Sequence, residues 1–341
     1  MKVLVTGASG FLGGSLVSRL LASGERDLRC FVRPGSRRDH LQALAAQYPH
    51  ARVEIFEGTL NTVDGATAAL AEVGLVHHLA ATMAGAAADI FSGTVVTSRN
   101  LLQAAVASQP QPRIVLVSSF GVYGPATQPR GSVVDEDMPL ERHPEQRDLY
   151  SQAKLRQEKL FTEYRRQHEF PLTVMRPGVI YGPYGPAISG RVGLNVFGVF
   201  LSLGGRNRLP LTYVDNCADA LVLAGRRPQA VDAVFNVVDD DLPTCDAFLE
   251  QYRRKVKPMR TLRLPYPALL ALSHLVERYH KFSRGQLPPI FTPYKTATTW
   301  GGNRFDNTRL RQLGWRPLVS MQEGLRRTFE WLASQQAGRA G

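Results

Sequence analysis

Tyr150 and Lys154 stand four residues apart in the run Tyr150-Ser151-Gln152-Ala153-Lys154, so on a helix their phenol and ammonium share one face and reach the same small volume. A free tyrosine titrates near pH ~10, and an adjacent ammonium favours the phenolate. The spacing is therefore expected to draw the Tyr150 pKa toward neutrality and to let the phenol pass a proton at physiological pH. Taken alone, the pair fits an ordinary surface helix equally well. Ser119 changes that balance, because it follows an expected strand over 114–117 and can offer a hydrogen bond to a carbonyl or hydroxyl presented to Tyr150.

These side chains need a scaffold, and the amino terminus supplies its first unit. Lys2 to Thr6 reads as a short buried strand, the run Gly7-Ala8-Ser9-Gly10-Phe11-Leu12-Gly13-Gly14 as a glycine turn, and Leu16, Leu20 and Leu21 as the apolar stripe of a helix stopped at Gly24. Glycines at 7, 10 and 13 allow the backbone to approach a pyrophosphate at the positive helix end, and the last allows close packing of helix on sheet. A strand, then this turn, then a helix is the context in which such a fingerprint indicates dinucleotide binding. The second strand, 28–32, runs into Arg33, where a fold reading NAD usually carries an acid for the ribose hydroxyls. Arg33, with Arg37 and Arg38 behind it, suits a 2′-phosphate, so NADP is expected in preference to NAD; the alternative is a solvated loop charge.

Strand and helix continue to alternate: 52–56, then a helix over 63–72, a strand over 75–79 followed by Ala80-Ala81, a helix over 100–107, and the strand 114–117. That order predicts an α/β fold with a Rossmann-type doubly wound parallel sheet and ligand at the carboxyl ends of its strands. His77 and His78 are read as structural. Asp135, Glu136 and Asp137 lack spaced partners and read as a solvated loop in preference to a metal site. No metal site is expected anywhere in the chain. The alternation blurs after Tyr181: 182–193 reads as loop, with returns to the sheet near 212–224 and 234–238. The expected organisation is a dinucleotide-binding domain over 1–176 with a return segment at 211–238, and a smaller substrate-binding lobe from 177–210 and 239–336.

The 341 residues, 44% hydrophobic and 21% charged, suit an ordinary globular protein with a sizeable core. Cys30, Cys217 and Cys245 form neither a CxxC pair nor a Cys/His cluster, which points away from zinc and from a disulfide framework. With no signal-like opening and no membrane-length apolar run, a cytoplasmic location is expected. The net charge of +12 would attract anions, yet no nucleic-acid motif accompanies it. Arg253, Arg254, Lys255, Lys257, Arg260 and Arg263 cluster just before an apolar stripe at Leu269, Leu272, Leu275 or Val276, Tyr279 and Phe282. This 253–282 stretch is either a helix packed on the substrate lobe or a peripheral contact with an anionic membrane.

The motifs together resemble the extended short-chain dehydrogenase/reductase family. The resemblance rests on Thr6 to Gly13, His78-Leu79-Ala80-Ala81, Val117 to Gly124, Tyr150 to Lys154, Arg176 to Pro183, Tyr213 to Ala220 and Leu313 to Pro317. It implies that Ser119 positions the substrate oxygen, that Tyr150 is the acid/base, and that Lys154 lowers its pKa and holds the nicotinamide ribose. It further implies a cofactor surrounded by Gly7, Gly10, Phe11, Leu12 and Gly13 at the pyrophosphate, Leu79, Ala80 and Ala81 on the adenosine side, and Pro177 to Val179 behind the nicotinamide. Pairing into a homodimer is also implied. Three departures stand out: Thr59, beside Leu60, replaces the usual Asp; Thr94 stands where many members carry Asn; and Val179 replaces the Asn with which nucleotide-sugar epimerases and dehydratases grip a phosphate. The sequence therefore looks closer to the 3β-hydroxysteroid dehydrogenase and dihydroflavonol reductase branches. The implied activity is NAD(P)-dependent hydride transfer with a secondary alcohol or ketone; the alternative is a nucleotide-sugar epimerase, dehydratase or reductase with a tightly held cofactor. Leu194, Val196, Phe197, Val199, Phe200 and Leu201 are expected either to line an apolar pocket or to belong to the core.

Overall fold

The computed structural model describes residues 1–283 and 291–340. Seven strands form its main sheet: β1 (Lys2–Thr6), β2 (Asp27–Val32), β3 (Arg52–Glu57), β4 (Val73–His78), β5 (Arg113–Val117), β6 (Leu172–Pro177) and β7 (Val234–Val237). Their order is β7-β6-β5-β4-β1-β2-β3, and each neighbouring pair is parallel. Helices cover both faces, which is why the inner strands are apolar on successive residues and do not alternate with polar ones. Val3 and Val5 enter one core with Leu16, Leu20 and Leu221 from helices Phe11–Ala22 and Val214–Arg226. Leu4 enters the other, with Leu101, Leu102 and Phe161 from helices Thr97–Ala107 and Leu149–His168. The order of strands reverses between β1 and β4, so the crevice for a ligand opens at their carboxyl ends.

The second half of the chain departs from expectation in two places. Residues 212–224 do not return to the main sheet: Leu211–Tyr213 pairs in parallel with Val179–Tyr181 as a separate ribbon, and helix Val214–Arg226 follows at once. Only β7 rejoins the main sheet in that region, on its edge. The six apolar residues between 194 and 201 form neither a common pocket wall nor a common core. They lie on a hairpin, Gly193–Val196 with Val199–Ser202, whose alternation buries Phe200 and leaves Val196 and the tip residue Phe197 exposed. A third core, with Tyr181, Val192, Phe248, Leu249 and Phe329, joins the ribbon to the carboxyl-terminal helices. Helix Tyr266–Phe282 buries Leu269 and Ser273, while Leu275, Tyr279 and Phe282 face outward. Residues 284–290 of the expected 239–336 segment lie outside the described residues. Among the described residues, no helix is long and apolar enough to cross a membrane.

Candidate active site

The glycine turn is built as its composition requires. Gly7 adopts a φ of +73°, a left-handed conformation that costs glycine little, and its Cα faces the backbone of Leu79 and Ala80 so closely that a Cβ would lie 3.3 Å from both. A Cβ on Gly13 would lie 2.0 Å from the Gly7 carbonyl oxygen, so only glycine lets the helix start so near the turn. Gly10 is the N-cap of helix Phe11–Ala22, with no side-chain cap and no acid in the first turn. The leading N–H groups of Phe11, Leu12 and Gly13 thus keep their positive end for an anion. The Phe11 ring itself turns toward Gly182 and Gly185.

Three successive residues at the end of β5 meet three residues one turn apart on helix Leu149–His168. The Val117 carbonyl accepts from Lys154 Nζ at 2.6 Å, the Ser118 hydroxyl donates to Glu158 at 2.5 Å, and the Ser119 hydroxyl, which accepts from the Gly121 amide at 3.0 Å, lies close enough to that of Tyr150 to favour its phenolate. Asp148 starts this helix by accepting from the Ser151 amide at 2.9 Å, a side-chain cap two residues before Tyr150. The three residues singled out as catalytic are therefore brought together at the carboxyl ends of the strands.

The charges differ from expectation. Burial pushes the Tyr150 phenol up to about 12, with the Ser119 hydroxyl opposing and Asp148 adding to the rise. Lys154 does not draw it down, because the ammonium is itself buried and directs two of its N–H bonds to Val117 O and to Gln157 Oε1, the latter at 2.8 Å. Burial pulls Lys154 down to about 7, with Glu158 opposing.

Two buried networks that the sequence did not announce support these residues. In one, Lys154 bonds to Gln157, Gln157 to Ser98 at 2.7 Å, Ser98 to His78 at 2.9 Å, and His78 to Thr6 at 2.9 Å. In the other, Arg176 donates to Glu158, in part at 2.5 Å, and to the Tyr123 hydroxyl at 2.9 Å; that hydroxyl donates to Asn236 at 2.6 Å. Thr94 lies in a π-helical turn, Ser92–Val96, its hydroxyl accepting from the Thr82 amide at 3.0 Å. Within the acidic triplet Asp137 is exposed as expected, but Glu136 is not solvated. Glu136 is buried, accepts from the Asn236 amide at 2.8 Å and lies 3.6 Å from Arg309, while Asp137 pairs with Arg309. Burial pushes the Glu136 carboxyl up.

Around the crevice, Arg33 and Arg37 are exposed just past β2, without a recorded ion pair, whereas Arg38 is paired with Glu57. Leu60 is buried and its carbonyl accepts from Asn100 at 2.9 Å; Thr59 is exposed and its hydroxyl accepts from the Asn61 amide. Leu79, Ala80 and Ala81 are half-buried beside the glycine turn. Pro177 ends β6, and Val179 donates its amide to Pro210 O at 2.6 Å. Arg191 donates from Nη1 to Thr299 O at 3.4 Å and lies within electrostatic reach of Arg147 and Asp148; burial, followed by repulsion from Arg147, lowers its guanidinium to about 10. Among the described residues, no group of three or more His, Cys, Asp or Glu is placed to hold a metal.

A profile of the NAD dependent epimerase/dehydratase family matches residues 3–237. The chain belongs to that family. This family member is an enzyme. It is 26% identical to a UDP-glucose 4-epimerase of Mycolicibacterium smegmatis, over 98% of this chain and 99% of that one. It is also 26% identical to a 2-alkyl-3-oxoalkanoate reductase of Shewanella oneidensis, over 95% of this chain and 84% of that one. The fold matches a UDP-glucuronic acid 4-epimerase from Bacillus cereus in complex with NAD, with a TM-score of 0.72 at 18% identity, covering 99% and 98% of the two chains.

Proposed function

We propose that this family member transfers a hydride between nicotinamide and a secondary alcohol or ketone at a Ser119-Tyr150-Lys154 site. The observation that carries this reading is the docking of Tyr150 and Lys154 onto the end of β5, with the phenol beside the Ser119 hydroxyl, at the carboxyl ends of the strands and beside the glycine turn. The turn suits a dinucleotide, since the space at Gly7 and Gly13 closes if either gains a Cβ. When bound, the cofactor supplies or accepts the hydride. Ser119 and Tyr150 hold the substrate oxygen between two hydroxyls, and Tyr150 exchanges its proton. Lys154, held by Val117 O and Gln157, keeps one N–H for the ribose and phenol side. The Tyr150 phenol, which burial keeps protonated at neutral pH, can donate to a developing alkoxide and, in the reverse direction, its phenolate takes the alcohol proton. Arg33 and Arg37, free of carboxylates, suit a 2′-phosphate and favour NADP over NAD.

A second reading, a nucleotide-sugar epimerase or dehydratase that recycles its cofactor, draws on the two 4-epimerases matched along nearly their whole length. Val179 weighs against it, having no polar atom to grip that phosphate. Titration with NADPH and NADH, followed by turnover on a panel of ketones, steroids and nucleotide sugars, separates the two. Reduction of ketones with added NADPH supports the first reading. Turnover of a nucleotide sugar without added cofactor replaces it with the second. In either case Tyr150→Phe is expected to abolish turnover with cofactor affinity nearly intact, and Lys154→Ala to damage both. Full activity in Tyr150→Phe would refute the site.

A further inference from the structure

We propose that Gln157 is the positioning residue for Lys154, and that its amide is locked in the required orientation by a buried chain running through Ser98 and His78 to Thr6. The inference rests on the reading of Lys154 given above, and the hydrogen bonds fix its polarity. Thr6 Oγ1 accepts the amides of Leu79 and Ala80, both at 3.2 Å, so its own proton goes to His78 Nδ1 at 2.9 Å. With Nδ1 an acceptor, the network assigns the imidazole proton to Nε2, which donates to Ser98 Oγ at 2.9 Å. Ser98 sends its own proton to Thr94 O at 2.5 Å. Its oxygen is left only as an acceptor, and it takes the Gln157 amide NH2 at 2.7 Å. The amide oxygen must then face Lys154 Nζ, where it lies 2.8 Å away. A flipped amide would point N–H groups at an ammonium and an oxygen at Ser98, which has no proton to give.

Every member of this chain is closed to solvent: Thr6, His78, Ser98 and Gln157 are 0% exposed and Lys154 is 2% exposed, so water does not compete for these bonds. Gln157 reaches Lys154 from three residues further along the same helix face. The other titratable groups around Lys154 are Tyr150 and Glu158 on its own helix and His78 on β4; Arg176 stands behind Glu158, paired to it at 2.5 Å. His78 is held neutral by burial and by the Lys154 charge, its pKa lowered to about 3. The chain therefore keeps one polarity across the physiological range. Burial drives Lys154 toward its neutral form, and the Gln157 carbonyl oxygen opposes this by favouring the ammonium.

The test is the pH dependence of NADPH affinity, read by nucleotide fluorescence from about pH 6 to about pH 10. Wild-type affinity is expected to fall as pH rises through the Lys154 pKa. In Gln157→Leu the charged form loses an acceptor, so the midpoint moves to lower pH by about one unit and affinity at neutral pH falls about fivefold. Gln157→Glu adds a negative charge and moves the midpoint upward. Ser98→Ala, a small truncation that frees the amide to turn, moves it down by less than Gln157→Leu. A purely structural role would change thermal stability without moving the midpoints in opposite directions. Unchanged midpoints in Gln157→Glu and Ser98→Ala, with a midpoint that Lys154→Ala abolishes, would overturn this inference alone. A Lys154→Ala variant with wild-type affinity and pH dependence would instead overturn the underlying reading of Lys154.

Discussion

His77 offers a sharp test of the buried charge balance, because it is a fully buried imidazole with neither ring nitrogen bonded to any group described. Burial, with repulsion from Arg113 and Arg226, pulls its pKa from 6.5 to about 3. The unfolded chain therefore binds the proton first as pH falls. The stability held by the neutral ring is intact above pH 6.5 and is lost between 6.5 and 3. At about pH 5.5 the unfolded histidine is roughly ten parts protonated to one, which costs the fold about 1.4 kcal/mol; at about pH 7.5 the cost is near zero. His77→Leu removes this titration and breaks no hydrogen bond, so its stability at about pH 7.5 is expected within about 1 kcal/mol of wild type. At about pH 5.5 the variant should gain about 1.4 kcal/mol relative to wild type. Asp239, which burial raises to about 7, titrates in both proteins and cancels in the difference. Urea unfolding followed by circular dichroism at the two pH values measures it. An equal wild-type-to-variant difference at both values would refute the argument. So would a loss above about 3 kcal/mol at pH ~7.5, since that would mean the imidazole has partners worth keeping.

Three further outcomes follow from the geometry. Gly13→Ala, whose Cβ would press on the Gly7 carbonyl oxygen at 2.0 Å, should cost about 1–3 kcal/mol of stability and more than about tenfold in NADPH affinity; Gly14→Ala, which meets only the His40 ring, should bind within about twofold of wild type by the same fluorescence titration. Replacing Arg33 and Arg37 together with serine should weaken NADPH by about tenfold or more and leave NADH nearly unchanged, as isothermal calorimetry can read. Glu158→Leu should lower stability by about 3–5 kcal/mol by stranding Arg176, and the double change with Arg176→Met should recover much of that loss in urea unfolding.

Six strands of the main sheet were legible because each is a short run rich in apolar residues with a turn after it, while β6 (Leu172–Pro177) went unread behind the long helix before it; the Tyr150 and Lys154 pair was legible because four residues make one helical turn. Position on the chain served well wherever partners were local. Glu136 was misread because its partners are the Asn236 amide and Arg309, each at least a hundred residues away, and no local pattern marks such a contact. Residues 212–224 misled because an amphipathic helix packed on a sheet carries as much apolar surface as a strand. Gln157 and Ser98 passed unremarked, since a buried polar residue looks like a surface one until its neighbours are known. The charge state of Tyr150 was misjudged for a related reason: spacing placed Lys154 on the same face, but could not show that Val117 and Gln157 claim its protons first.

The match between residues 117–119 and residues 150, 154 and 158 has a consequence for altering the protein. Because strand and helix are keyed to each other at three points, the length of the intervening chain does not set where Tyr150 sits. Much of that chain is itself anchored, through Tyr123, Glu136 and Glu141 and through Arg130, which donates to Gly301 O and lies over the Tyr266 ring, but Thr127 and Pro129 are exposed. These two positions are places where a fluorescent reporter can be attached while the reacting groups keep their alignment.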